Sequence, residues 1–335
     1  MRPVLVNVLS TVELSRLTNA FAGVANLWFV VLWTRATSLE NHHERFSDFS
    51  DTSINTRLFI LLGLATVLGL GIPAYAGALN DIFDRRRDQA LAPQRPIPSG
   101  RITMQWAAAI GFGFLIISVL AAAGLSVVLE SLLPLLVCLG VSMLILLFNT
   151  IFKFIPGLAL TALAAIYAMH MLIMNPGMRF VWPILLVIIH VVTVYAVAHA
   201  LERRTPPIRW TSIVGTVIGL AGVGLLLWYQ TGSKGVLPIG EIALIGLAWP
   251  IAAVVLFIIS AINKTRFASS RAFAAEKLQR YGGLWLGFYG VAWLLAGGLW
   301  TEALILAIPV TMGVLGMLIV RDLGAWIEQP VGYRW

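Results

Sequence analysis

Apolar residues fall along this chain in unbroken stretches of roughly twenty, separated by short segments in which the charges collect. Each stretch is long enough to cross a hydrocarbon core of ~30 Å. Backbone groups in lipid must be satisfied within the chain, which leaves helices or a closed barrel, and continuous rather than alternating apolarity selects helices. The pattern predicts ten spans, at about 17–34, 58–79, 104–128, 131–152, 155–174, 181–201, 211–230, 240–262, 283–299 and 302–320. The break between the last two, at Trp300, Thr301 and Glu302, is short, and reading through it leaves nine. No long hydrophilic segment interrupts the series. Residues 1–335 therefore read as a single membrane domain, an all-α polytopic transmembrane helical bundle.

Composition agrees. Of 335 residues 59% are hydrophobic and 11% charged, against about 25% charged in soluble domains. Placing the N-terminus in the cytoplasm puts 18 of the 23 Lys and Arg residues in inner loops, leaving Arg35, Arg45, Arg57, Arg179 and Lys234 outside. This satisfies the positive-inside rule and accounts for the net charge of +8. The basic residues face anionic headgroups of the lipid bilayer or an anionic substrate, and no nucleic acid is needed to explain them. The expected localisation is an integral, multi-pass membrane protein (the inner membrane in a bacterium), with the polar site loops cytoplasmic. Residues 1–16 show no cleavage-site pattern, so the first span is expected to be the insertion signal. The single cysteine, Cys138, lies inside a span and reads as a packed small hydrophobe. Oligomeric state is not legible.

The outer loop 35–57 is of mixed charge, and its adjacent His42 and His43 cannot easily hold one ion from a helix, so it reads as a solvated loop or surface helix. Polar chemistry gathers instead in inner loops 80–103, 200–210 and 263–281. The first two follow spans two and six, a spacing that hints at a four-helix pseudo-repeat whose halves each end their second helix in a polar site.

The first loop reads NDIFDRRRDQALAPQRPIPSGR from Asn80 to Arg101. If the second helix continues past the hydrocarbon edge, Asp81, Asp84 and Asp88 share one face, with Asn80 beside it. Three carboxylates so placed repel one another unless a cation neutralises them. Oxygen-only ligands on a helix suit Mg²⁺, which bridges carboxylates and substrate phosphates. The competing reading is a solvated, salt-bridged helix exit, with Arg85 one turn after Asp81. Beyond it, Arg95-Pro96-Ile97-Pro98-Ser99-Gly100-Arg101 is a stiff turn in which Gly100 relieves the bend, and Thr103 caps the third span.

Together these residues resemble the first aspartate motif of the UbiA superfamily of membrane prenyltransferases: Asn-Asp-x-x-Asp-x-x-x-Asp, then Arg-Pro-[Ile/Leu]-Pro-Ser-Gly, after the second span. Leu14 to Asn19 resembles the family's opening Arg-x-x-Asn, with Asn19 and Asn26 seven apart and facing one interior. Phe148-Asn149-Thr150 with Lys153 resembles the segment that closes the fourth helix. Asn149 and Lys153 stand i, i+4; for Lys153, snorkelling at a helix end is an equal alternative. The resemblance implies a bundle whose central cavity opens to the cytoplasmic side and laterally to lipid. It implies a prenyl diphosphate held by Mg²⁺ and transferred to a lipophilic or aromatic acceptor. Asp81, Asp84 and Asp88 would hold the metal, and Arg95, Arg101 and Lys153 would contact the diphosphate.

One part of the family pattern is missing. Active members carry a second motif, Asp-x-x-x-Asp, after the sixth helix. Here that place reads His199-Ala200-Leu201-Glu202-Arg203-Arg204-Thr205-Pro206-Pro207. Glu202 is its one carboxylate, with His199 and Tyr195 on its face; it is expected to hold a second Mg²⁺ through water, with Arg203 or Arg204 on phosphate. This reduced motif resembles that of UbiA-like Ebo-cluster proteins. It opens an alternative: a catalytically lapsed relative that binds an isoprenoid diphosphate, or supports a pathway, without turnover. Phosphatidyl transfer to an alcohol is set aside, because Asp84 is followed by Arg85 where that chemistry's motif has Gly.

Two histidines lie within spans. His170 reads equally as a cavity group or a packed interior one, and His190 as packed. Trp28, Trp33, Trp106, Trp182, Trp210 and Trp228 lie near span ends and read as interface anchors.

Overall fold

The computed structural model describes residues 10–12, 14, 17–40, 51–93, 95–178, 180–231 and 242–328. Among these residues there are helices and no strands. The long helices are α1 (Leu17–Glu40), α2 (Asp51–Phe83), α4 (Met104–Val128), α5 (Leu133–Thr150), α6 (Pro156–Leu172), α7 (Trp182–Leu201), α8 (Trp210–Thr231), α9 (Ala248–Thr265), α10 (Arg271–Ala296) and α11 (Trp300–Glu328). A short helix α3 (Arg85–Leu91) follows α2. Seven of them, α2, α4, α5, α7, α8, α9 and α11, are long and apolar enough to cross a membrane, and α6 is apolar but shorter.

All ten predicted spans are present as helices. The break at Trp300 is real, since α10 ends at Ala296 and the chain turns through Gly298, at φ +73°, before α11. Several helices run past their predicted ends. α1 reaches Glu40, α2 begins at Asp51, α10 begins at Arg271 and α11 reaches Glu328. Hydropathy marks only the lipid-crossing part, whereas helical hydrogen bonding continues into polar sequence. Caps fix some starts: Thr103 accepts from the Trp106 N–H at 3.2 Å, as predicted, and Ser270 accepts from Phe273 at 3.1 Å. Asn19, His42 and His43 carry side chains outside the described residues.

Helices α1, α2, α4, α5, α6, α7 and α10 pack in that order, and α10 returns to α1 to close a ring. α11 backs α1 and α10, while α8 lies against α6 and α9 against α10. The outer faces of α8 and α9 keep Ile218, Leu226, Ile251 and Ile259 exposed, as lipid requires.

The tightest crossing joins α1 to α2. A Cβ on Gly69 would fall 2.5 Å from the Val24 Cα, and one on Gly23 would fall 2.6 Å from the Gly69 carbonyl oxygen. One end of the bundle is closed by aromatic rings: Trp33 stacks on Phe180 at 4.5 Å, Phe180 meets Trp293 edge-on at 5.4 Å, and Asn175 donates to the Thr34 hydroxyl at 3.0 Å. Two expected anchors are thus interior. Trp33 is buried in this stack, and the Trp28 Nε1 donates to the Leu62 carbonyl and the Thr66 hydroxyl. An indole that finds a polar partner inside the bundle does not need the interface. Trp106, Trp210 and Trp228 remain exposed. Cys138 is fully buried, as expected of a packed hydrophobe.

Gly69→Ala is expected to cost at least ~1–3 kcal/mol, read as a lower melting temperature in detergent. Gly63→Ala, on the same helix with nothing within 4 Å of its added carbon, leaves the melt unchanged or slightly raised.

Candidate active site

The opposite end of the bundle is polar. α2 stops at Phe83, and Asp84 at φ −86°, ψ 0° interrupts the regular helix. The hydrogen bonds run on through the break: the Asp84 N–H donates to Asn80 at 2.9 Å and the Asp88 N–H to Asp84 at 2.8 Å. Asp81 and Asp88, two turns apart, keep one face. Both look to the Arg95 guanidinium, at 3.9 Å and 2.7 Å. Asp84, three residues on and rotated from that face, takes the Lys153 ammonium at 2.7 Å instead. The three carboxylates thus divide between two cations. The Asn80 amide donates to Asp81 at 3.5 Å. Arg85 makes no local bridge; its guanidinium reaches the Met104 sulfur.

Arg95 is aimed by the turn behind it. Ser99 N–H donates to the Arg95 carbonyl at 3.0 Å, Gly100 to Ile97 at 3.1 Å and Ile102 to Pro96 at 3.0 Å, and Gly100 takes φ +76°. Ile97 and Ile102 are buried together with Leu14, Ala78 and Ala107, which docks the turn onto α2 and α4. Burial raises the Asp88 carboxyl against the pull of Arg95. Burial also works against the charge on Arg95, yet Asp88, Asp81 and Asp84 together hold its pKa above the ordinary value. Asp88 carries the desolvation, and Arg95 keeps its proton. Arg101 points elsewhere, donating to the Ser99 and Ser10 hydroxyls at 3.1 and 3.4 Å.

Lys153 is not on a helical face with Asn149. α5 ends at Thr150, Ile151 leaves helical geometry at φ −130°, and Lys153 rides a 3-10 turn at Phe152–Phe154. A helical pattern does not continue across such a break, so the i, i+4 reading fails. Nor does Lys153 snorkel: its side chain is 9% exposed, and the ammonium lies between the Phe83 and Phe154 rings at 5.9 and 5.5 Å. Asn149 is buried one turn back, its amide donating to the Ile145 carbonyl at 3.0 Å and its oxygen without a partner.

The second polar segment meets the first. Arg87 reaches Glu202 at 3.3 Å across 115 residues of chain. Glu202 also binds the Arg204 guanidinium, which lies over the Tyr195 ring at 5.8 Å. Burial opposes the Arg204 charge, but Glu202 holds its pKa above the usual value. Tyr195 in turn faces Phe148 of α5 at 6.4 Å. Of the two arginines expected near phosphate, Arg204 pairs with Glu202, while Arg203 is exposed and takes a left-handed φ of +52°. Arg87 was not anticipated; in a run of three arginines nothing but the phase of α3 singles it out. His199 is buried, its Nε2 3.0 Å from the Pro206 carbonyl oxygen.

Deeper polar groups are mostly packed. His190 uses both nitrogens, on the Tyr289 hydroxyl and the Gly282 carbonyl, each at 2.9 Å. Asn26 is buried in α1, and His170 is buried in α6 with its Nε2 unpaired.

Four carboxylates with only oxygen donors suit a hard divalent cation by chemistry. Among the described residues, however, no three His, Cys, Asp or Glu groups are placed to enclose one. Lys153, Arg95, Arg87 and Arg204 answer the negative charge instead. Lys153→Met is expected to leave Asp84 uncompensated and cost about 3–5 kcal/mol, measured as loss of monodisperse protein after heating. The double variant with Asp84→Leu recovers most of that loss.

The UbiA prenyltransferase family model matches residues 49–173. No curated protein sequence matches the chain. Among solved structures, one described as giving structural and mechanistic insights into digeranylgeranylglyceryl phosphate synthase in membranes is similar at 14% identity and a TM-score of 0.51, covering 87% of this chain and 98% of its own. A UbiA homolog from Archaeoglobus fulgidus aligns at 12% identity and a TM-score of 0.43, covering 91% and 98%. Residues 49–173 thus match the model of the UbiA prenyltransferase family, and the all-helical fold resembles that of the digeranylgeranylglyceryl phosphate synthase structure.

Proposed function

We propose that this protein transfers a prenyl group from a prenyl diphosphate to a lipophilic or aromatic acceptor within the membrane. The observation that carries the reading is the meeting of two polar segments, 80–101 and 199–204, through Arg87 and Glu202, with Lys153 on Asp84 beside them. A diphosphate needs several cations in one place, and Arg87, Arg95, Lys153 and Arg204 supply them here. Asp81, Asp84, Asp88 and Glu202 are the residues that would hold Mg²⁺. When bound, the metal neutralises the diphosphate and makes it a better leaving group.

The residues of the chain then have separate tasks. Lys153 and the arginines bind and orient the diphosphate, and stabilise the charge that builds on it as the C–O bond breaks. Phe148 and Tyr195 are aromatic rings near these charges that could stabilise the allylic cation left behind. The acceptor forms the new bond to that carbon and gives up a proton. The apolar tail takes its place among helix surfaces that offer no competing charge.

A second reading is binding without turnover. It is favoured by the ion pairs themselves, since Asp84, Asp88 and Glu202 each already hold a basic side chain, and the second motif has a single carboxylate. Purified protein given prenyl diphosphates of several lengths, Mg²⁺ and a panel of acceptors is expected to form prenylated product and release pyrophosphate. Asp81→Asn and Asp84→Asn are each expected to lower that rate at least ~100-fold. Full activity in both variants overturns the site. Mg²⁺-dependent binding with no product across the panel selects the second reading.

A further inference from the structure

We infer that His199 is the group that receives the acceptor, its Nδ1 accepting a hydrogen bond from a hydroxyl on the molecule to be prenylated. The inference rests on the transferase reading above and narrows its acceptor to a phenol or an alcohol.

The proton on the ring is assigned by its neighbour. Nε2 lies 3.0 Å from the Pro206 carbonyl oxygen. A carbonyl has no proton to give, so Nε2 carries the hydrogen. In the neutral ring Nδ1 is then a bare lone pair. It is buried and has no hydrogen-bond partner. Leaving such an acceptor unmade costs ~1–3 kcal/mol. His190, which uses both its nitrogens, has a structural histidine's pattern. His170 also has an unpaired nitrogen, but it is packed close to Gly23 of α1.

His199 stands among the charged groups of the site. It shares a face of α7 with Tyr195, one turn before, and Glu202, one turn after. Its ring centre is 6.2 Å from that of Tyr195, and it lies within electrostatic range of Arg204, Glu202 and Arg87. Among the reactants and cations of the site, elimination leaves one partner for the lone pair. A prenyl diphosphate offers oxygen lone pairs and alkyl carbon, neither of which donates. Mg²⁺ prefers oxygen to imidazole nitrogen. Arg87 and Arg204 are engaged with Glu202. The acceptor remains, and it can donate only if it carries a polar hydrogen. A site with a buried lone pair rejects the analogue that lacks the donor.

The test uses two matched pairs of probes, 4-octylphenol with 4-octylanisole and 1-decanol with its methyl ether. Binding to the purified full-length protein is followed by quenching of tryptophan fluorescence, with Mg²⁺ and geranyl thiodiphosphate present. The wild type is expected to bind at least one hydroxyl compound ten-fold or more tighter than its ether. His199→Phe is expected to bind both members of that pair as weakly as the wild type binds the ether, with geranyl thiodiphosphate affinity unchanged. His199→Gln, which restores an acceptor oxygen, is expected to regain part of the preference. Equal binding of hydroxyl compound and ether in both wild-type pairs overturns the inference without any variant, as does a preference that survives His199→Phe. Product formation is scored separately. Absence of product with geranyl diphosphate, while the hydroxyl preference follows residue 199, defeats the transferase reading and leaves the His199 contact standing.

Discussion

Carboxylates half buried at the mouth of a membrane helix must be neutralised, and here the neutralising charges come from outside the helix that carries them. An unpaired buried carboxylate is costly, and a paired one fixes the geometry of whatever holds it. Asp84 therefore ties the end of α2 to the turn after α5, Asp88 ties α3 to the turn before α4, and Glu202 ties α7 back to α3. The polar end of the bundle is a set of charges distributed over several helices, and each pair constrains the next.

The apolar part of the fold supports that arrangement. Glycines at the α1–α2 crossing bring two backbones close enough to set the direction of α2, and α2 delivers the aspartates. Ile97 anchors the turn that aims Arg95. At the far end the Trp33, Phe180 and Trp293 rings pack together. The ion pairs thus gather at one end, while these rings pack the other.

Much of this was legible in the sequence, for different physical reasons. Continuous apolarity gave the ten helices, because lipid admits little else. Gly100 and Thr103 announced a turn and a cap through strictly local rules, and both hold. The misreadings came where a local pattern was extended across a break or where a partner was distant. Asn149 and Lys153 are four apart, but Ile151 leaves the helix between them. Trp28 and Trp33 sit near span ends, yet interior partners claim them. That Arg204 and Arg87, and not Arg203, pair with Glu202 depends on how α3 and the end of α7 meet, which no spacing rule encodes. The missing carboxylate around Glu202 was visible at once; that two arginines crowd the one that remains was not.

The pairing of Asp84 with Lys153 also has a consequence for how the protein is made. Lys153 follows Asp84 by 69 residues and Glu202 follows Arg87 by 115, so a growing chain presents the aspartates to the bilayer before their partners exist. Arg95 is the first of those cations to be synthesised. The Asp88–Arg95 pair needs only the chain through residue 95, whereas the Arg87–Glu202 pair needs all of α7.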